Sequence, residues 1–387
     1  MDQIVDKVRQ VAAEIAARHA AEVDLNARFP KETFEALRSI GALAAYVPRE
    51  LGGLGCDFRS LSAMCTAVAQ SCSSAGMVLA MHHIQVACLV RHGQSSPFMR
   101  RYLTELAEKQ HLIASVTSEV GVGGDIRTSI CAVEAEAGHF ILNKDATTIS
   151  YGEPADALLV TARRSRDASP SDQVLVLLEK GSYTLEPTGK WDTLGMRGTC
   201  SPGFKLRSSG RVEQILPGSF ADSSSRTMVP SSHILWASVW LGIATDAVLR
   251  ASALVRAEAR KKPGTVPPTA VRLAELSAQL QTMRAIVKNA VREFDDLIGS
   301  PEGEEAMATI GFALRMNHTK IAASQLVVEI VEKALHICGV AGYRNDSPFG
   351  LGRHLRDAHS APLMIGNDRI HAKSALMLMV FKDEQDE

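Results

Sequence analysis

The period of the apolar residues changes twice along the chain, and each change fixes what that stretch is able to fold into. From Asp2 to about Gln110 apolar side chains recur every three to four positions, as in Phe34, Leu37, Ile40 and Leu43, broken by the Gly/Pro turn PRELGGLG at Pro48. From Leu112 to about Glu213 short alternating or β-branched runs take over, IASVTS, HFILN, ALLVTA and QVLVLL, separated by Gly, Asp, Ser and Pro. Helical spacing returns over Ile234–Arg260, Ala270–Ile298, Gly303–Cys338 and Asp368–Phe381. The order predicts an α+β chain: a helical domain over 1–111, a small antiparallel β-domain over 112–216 and an antiparallel helix bundle over 233–387. Residues 217–232, PGSFADSSSRTMVPSS, hold Pro, Gly and six serines and read as a connector.

Composition excludes several classes of function. The chain of 387 residues is 46% hydrophobic, enough to fill a sizeable core. Its 42 basic and 43 acidic side chains leave a formal charge of -1, so no global field recruits nucleic acid or an anionic membrane. Seven scattered cysteines show neither CxxC pairs nor a disulfide framework, which predicts a reducing compartment, the cytoplasm. The opening MDQIVDKVRQVAAEIAARHA spreads charge through its apolar period and reads as an amphipathic helix, not a secretory signal. The apolar run noted as longest, Ile234 to Thr245, is stopped by Asp246, short of a membrane span.

Several generic chemistries leave no trace. The sequence lacks GxxxxGK[ST], HExxH and GxSxG, and its glycine clusters at Gly121 and Gly339 lack the dinucleotide fingerprint. His82 and His83 are neighbours, so on a helix they point to different sides and do not converge on a metal; no metal site is expected. A redox or binding protein with helix-sheet-helix order remains.

Four segments narrow this further. SVTSEVGVGGD at Ser115 resembles the acyl-CoA dehydrogenase signature, in which Thr-Glu-Pro precedes a glycine turn ending Gly-Ser-Asp. PRELGGLG at Pro48, WDTLGMRGT at Trp191, and CGVAGY followed by LRDA at Leu355 are similar to further family segments in the same order. Each alone is weak; four in register over nearly the whole chain are specific. The resemblance implies a helical domain, a small antiparallel β-barrel domain and a C-terminal four-helix bundle. It also implies FAD rather than FMN, an acyl-CoA thioester stacked on the flavin, and a homotetramer or homodimer. On that resemblance Ser115, Thr117 and Ser118 meet the flavin ring, Ser150 takes the place of a flavin-contacting threonine, and Thr148 stands where the family usually has tryptophan. Arg260, in ARKKPG, matches an arginine reaching FAD phosphate across a subunit boundary, and His336, Gly339, Asn367 and Arg369 complete the cofactor contacts. Gly124, where the family has serine, Ile365 and Gly366 fall on the substrate side.

The same resemblance exposes a gap. Acyl-CoA dehydrogenation needs a carboxylate to take the α-proton while the flavin accepts hydride. Counting from Arg356-Asp357-Ala358 puts Ile365 at the family's glutamate, and the second known location, before the long helix of the bundle, reads Ser231-Ser232-His233. Neither holds a carboxylate. Some relatives of this fold run oxidase or monooxygenase chemistry with histidine and serine in place of the glutamate. His82, His83 and His359 are the corresponding candidates, against the plainer alternative of core or capping histidines. The leading expectation is a flavin-dependent oxidoreductase on an acyl-CoA or related thioester with atypical chemistry, its second partner molecular oxygen or an electron-transfer flavoprotein. Desaturation by a relocated base, Asp368, Glu119 or another carboxylate, is one alternative, and a flavin- or CoA-binding protein without catalysis is another.

Overall fold

The computed structural model describes residues 2–261 and 263–382. The first segment is helical: α1 (Asp2–Val11), a π-turn, α2 (Ala17–Leu25), α3 (Lys31–Ser39), α4 (Phe58–Ser71), α5 (Ser73–His92) and α6 (Pro97–Lys109). Local chemistry sets their starts. The Asp57 carboxylate accepts from Ser60 N at 2.8 Å at the head of α4, and Ser96 followed by Pro97 opens α6. α5 carries a longer uncharged run than Ile234–Thr245, because Ser73 to Val90 holds no Asp, Glu, Lys or Arg. That helix has the length and hydropathy of a membrane span, and so does the Phe220–Lys261 stretch; both are largely buried inside the protein. α5 is apolar all round because it is packed all round, against α4, β1 and the long helix that follows the sheets.

Seven strands follow: β1 (Ile113–Val116), β2 (Glu134–Glu136), β3 (His139–Ala146), β4 (Ala157–Arg163), β5 (Gln173–Glu179), β6 (Tyr183–Pro187) and β7 (Phe204–Arg211). They form two sheets, β1-β4-β5 and β2-β3-β7-β6. The expected antiparallel barrel is corrected on two counts. β1 runs parallel to β4, with Ile113 opposite Ala157, and among the described residues no barrel closes. Parallel pairing needs a long crossover, and the chain between β1 and β4 supplies one by building β2 and β3 into the other sheet. β3 alternates, with Phe140, Leu142, Lys144 and Ala146 inward, whereas β4 and β5 are covered on both faces and read as continuous apolar runs.

The third segment comprises α7 (Phe220–Ser223), a second π-turn, α8 (Val229–Lys261), α9 (Thr269–Leu297), α10 (Pro301–Ala306), α11 (Ile310–Tyr343), α12 (Gly352–Ala358) and α13 (Asn367–Leu378). The connector expected over 217–232 is therefore helical from Phe220 onward. Ser219 caps α7 by accepting from Asp222 N at 3.1 Å, and Pro230 comes just after the second π-turn, Ser224–Met228, where the helical hydrogen-bond spacing is already altered. Ser223 and Ser232 bond back along the helix, Ser232 Oγ donating to Met228 O at 2.6 Å, so their polarity does not call for solvent, whereas Ser231 Oγ is buried without a partner among the described residues. α8 is the central helix and packs against α4, α5, α9 and α11.

Two of the motifs clasp each other across the molecule. The Asp357 carboxylate accepts from Met196 N at 2.6 Å, and Arg356 Nε donates to Leu194 O at 3.0 Å. Gly195 lies flat between them; a Cβ there would run into the backbone carbonyl of Arg356. Because the obstacle is backbone, Gly195→Ala is expected to cost about 1–3 kcal/mol of stability, read as a lower melting temperature with the helical content unchanged.

Candidate active site

A cavity of about 640 Å³ opens where the end of β1, the Thr148–Tyr151 turn, the Trp191–Ser201 segment, α5, the start of α8 and the loop after α12 converge. One wall is a row of hydroxyls. Ser115, Thr117, Ser118, Thr148 and Ser150 all line it, where sequence comparison puts the flavin contacts. Ser118 Oγ donates to Thr148 O at 2.7 Å and accepts from Thr148 N at 3.1 Å, and Ser201 Oγ donates to Ser150 Oγ at 2.8 Å. The turn behind them is pinned by the Tyr151 hydroxyl, which donates to Ile113 O at 2.9 Å. Ser115 and Thr117 make no side-chain hydrogen bond among the described residues. The ladder of β1 ends at Val116, leaving polar backbone beyond it.

The opposite wall is apolar and helical. Met77, Met81 and Ile84 form one face of α5, and Met228 and Trp236 approach from the head of α8. The neighbours His82 and His83 lie off that face, and neither lines the cavity. His82 is structural: Nε2 faces Leu43 O at 2.7 Å, so it donates, and Nδ1 then accepts from Ile113 N at 3.1 Å. Burial lowers its pKa to about 4, so it stays neutral. His83 is also buried, with neither ring nitrogen partnered and its pKa pushed well down by burial. Of the three candidate histidines only His359 reaches the cavity, half-exposed and 3.6 Å from Glu332.

The loop after α12 closes the cavity. Ile365 lines it with φ +54, a backbone state that a β-branched residue rarely adopts, and Gly366 follows at φ +36. Gly124 lies on the rim at φ +79, and a Cβ there would meet the guanidinium of Arg369. Arg369 thus reaches the rim, but Arg260, His336, Gly339, Gly366 and Asn367 stand outside the lining. Arg260 Nε donates to Arg256 O at 3.2 Å on the exposed end of α8, His336 is exposed, and Gly339 breaks the helical path of α11 at φ +54.

Asn367 is held from behind by a buried cation. Lys320 Nζ donates to Asn367 Oδ1 at 2.7 Å and to Ala361 O at 3.3 Å, 5.7 Å from the centroid of the Trp240 ring. Among the described residues it meets no carboxylate, and burial lowers its pKa from 10.5 to about 8. The charged form is the one penalised, so the penalty is full below about pH 8 and disappears as pH rises to the unfolded value. Lys320→Met removes it. Measured by denaturant unfolding, the variant is expected to gain on the wild type by roughly 3 kcal/mol more at pH 7 than at pH 10.5.

No Asp or Glu lines this cavity among the described residues. Both proposed substitute bases are placed elsewhere. Glu119 is buried, its carboxylate accepting from Cys131 N at 2.6 Å and Ser129 Oγ at 2.7 Å with Lys144 Nζ 3.6 Å away, and Asp368 sits exposed at the start of α13. No group of three or more potential metal ligands clusters among the described residues. One titratable group was passed over. His233, noted in the sequence only for not being a carboxylate, lines the cavity in the first turns of α8 with Ser232 beside it. Position alone could not reveal it, because its exposure to the cavity depends on how α8 rotates against α11.

The cavity suits a flavin ring. A flat heteroaromatic ring needs hydrogen-bonding partners along one edge and apolar cover on its faces. The unpartnered Ser115 and Thr117 hydroxyls and the open end of β1 offer the edge; Met81, Trp191, Met196 and Leu363 offer the cover.

Comparison with known proteins agrees with this geometry. The family model of the acyl-CoA dehydrogenase N-terminal domain matches residues 1–135, and that of the C-terminal domain matches residues 227–377. The probable acyl-CoA dehydrogenase FadE25 of Mycobacterium tuberculosis is 27% identical over 95% of this chain and 92% of its own. The amino sugar nitrososynthase DnmZ of Streptomyces peucetius is 27% identical over 88% and 84%. Among solved structures, FMN-bound TdsC of Paenibacillus sp. A11-2, a dibenzothiophene monooxygenase, superposes with a TM-score of 0.84 at 20% identity over 99% of both chains. Butyryl-CoA dehydrogenase of Megasphaera elsdenii gives 0.83 at 20% identity over 98% and 97%. With the two domain models matched in chain order and a hydroxyl-lined cavity built from both matched regions, the chain belongs to the acyl-CoA dehydrogenase family.

Proposed function

We propose that the protein is a flavin-dependent oxidoreductase that uses oxygen, as an oxidase or monooxygenase, on an acyl-CoA or related acyl thioester, and that it does not carry out α,β-desaturation. The observation that carries this reading is the cavity wall without a carboxylate, in which Ile365 occupies the position matched to the family's glutamate. A desaturase must remove an α-proton, and none of the wall's side chains is a carboxylate base for that step. Reaction of oxygen with a flavin reduced by an external donor needs no such base. The flavin, when bound, supplies the redox chemistry; the chain's own residues seat its polar edge along Ser115 to Ser118, exclude water with the methionines of α5, and hold a surface free of carboxylates for the substrate. Names among the relatives agree in kind: a monooxygenase, a nitrososynthase and a prolyl acyl carrier protein oxidase share the fold or the sequence.

The finer assignments are part of the same proposal. FAD is preferred to FMN on the family resemblance, and extraction of the bound cofactor decides between them. Association into a homotetramer or homodimer is supported by the exposed Leu376, Met379 and Val380 at the end of the chain's last helix and beyond it. The seven cysteines are all unpaired, which favours a reducing cytoplasm.

The test is an anaerobic titration of the flavin-loaded protein with a panel of acyl-CoA thioesters, followed by admission of oxygen and mass analysis. The proposal expects no enoyl-CoA before oxygen; once the flavin has been reduced externally and oxygen admitted, it expects an oxygenated product, or hydrogen peroxide where the reduced flavin passes its two electrons to oxygen without transferring an oxygen atom. Flavin bleaching with enoyl-CoA formed before oxygen enters would overturn it in favour of desaturation. Protein that takes up neither flavin nor acyl-CoA would make it a binding or scaffold protein instead.

A further inference from the structure

His233 has a defined job in the cavity that follows from its hydrogen bonding. Its Nδ1 lies 3.1 Å from the Met316 carbonyl of α11. A carbonyl only accepts, so Nδ1 carries the proton. The ring is buried, and burial together with the nearby Lys320 and Lys373 ammonium groups lowers its pKa to about 3, which leaves it neutral at any physiological pH. A neutral ring with its proton on Nδ1 has a bare lone pair on Nε2. That nitrogen is on the side of the ring away from α11, has no protein partner among the described residues, and is not one of the buried unpartnered atoms, although the ring lines the cavity. A lone pair fixed in this way is a poor base and a good acceptor.

We propose that His233 is a specificity-determining acceptor, and that the buried end of the substrate is a neutral group with an N–H or O–H donor that meets Nε2. The proposal rests on the reading of this cavity as a substrate site beside a flavin, since the flavin's polar edge is drawn to the hydroxyl wall and the α8 wall is left to the substrate. The other lining groups narrow the class further. The Arg356 guanidinium is engaged by Asp24 and by Leu194 O, the Trp236 ring lies 6.3 Å from that of His233, and Met77 and Met81 line the same cavity. An anionic group at this depth would meet an imidazole whose outward nitrogen cannot donate, with the Lys320 charge already engaged by Asn367 and Ala361 O. The fitting class is an uncharged, mostly apolar or aromatic unit with one donor, such as a hydroxyaryl or a neutral N–H heterocycle, either free or as the acyl end of a thioester.

Phenol and anisole test this directly, because they share the ring and the oxygen acceptor and differ in the donor. Binding to the flavin-loaded wild type is followed by the shift of the flavin's visible bands, and binding to protein without flavin by saturation-transfer NMR. Phenol is expected to bind roughly tenfold more tightly than anisole, and in His233→Phe, whose aromatic ring fills the same space without an acceptor, the ratio is expected to fall to about one. Equal binding of the two probes to the wild type, or a ratio that survives in a folded His233→Phe, overturns the assignment. The wild-type comparison stands even where the variant fails to fold. Failure to load flavin would count against the proposed function and leave the NMR ratio to decide the role of His233.

Discussion

Ile365→Glu is expected to give the protein acyl-CoA-dependent flavin reduction in the absence of oxygen, at a rate 10²–10⁴-fold above the wild type. The residue lines the cavity in the loop after α12, and the count from Arg356-Asp357-Ala358 matches it to the family's base. Position and access are in place; a proton acceptor is what the side chain lacks. The change is tolerable for the backbone, because glutamate is not β-branched and is less strained than isoleucine at φ +54. Stopped-flow bleaching of the bound flavin by butyryl-CoA reads the effect, and Ile365→Gln controls for polarity without basicity. If the glutamate variant holds flavin and stays as inert as the glutamine variant, residue 365 does not face the α-carbon, and the loss of desaturation lies in substrate placement.

The second large effect is on stability. Glu119→Ala is expected to cost about 3–5 kcal/mol, because it strands a buried cation. Lys144 is wholly buried on β3, donates to Thr161 O at 2.7 Å and Thr161 Oγ1 at 2.9 Å, and has Glu119 as its carboxylate partner at 3.6 Å. The removed carboxylate also leaves the Cys131 and Ile130 N–H groups, both within 3.2 Å of it, without an acceptor. Denaturant unfolding measures the loss. Adding Lys144→Met to Glu119→Ala should recover part of it; a double variant no more stable than the single one would show that the backbone contacts, not the charge, hold the segment. This is also why the glutamate of the Ser118-Glu119-Val120 motif serves the fold and not the chemistry.

What sequence reading reached and what escaped it divide along physical lines. Periodicity located α8, α9 and α11 because each buries a face or a whole circumference, and the runs ALLVTA and QVLVLL because β4 and β5 are covered on both sides. Composition misjudged residues 217–232, since six serines suggest solvent, yet Ser223 and Ser232 bond to carbonyls four residues back and lie inside. The parallel pairing of β1 with β4 is a matter of topology, to which local patterns are blind. At the site, the motif positions Ser115, Thr117, Ser118, Thr148, Ser150 and Ile365 do converge on one cavity. The histidines do not sort by sequence. His82 and His233 are both buried on apolar helices, and only their partners, Leu43 and Ile113 for one and Met316 for the other, show which ring has a nitrogen to spare.

The clasp between the Trp191 motif and the Arg356-Asp357 pair joins residues 161 positions apart, and the cavity draws its walls from Met77 to Ile365. During synthesis the hydroxyl wall emerges early but has nothing to face until α12 and the loop after it have left the ribosome. Cofactor loading is therefore a late event, which follows translation of almost the entire chain and waits on slow, long-range contacts. Any interruption short of the Ile365 loop leaves the compartment without one of its walls.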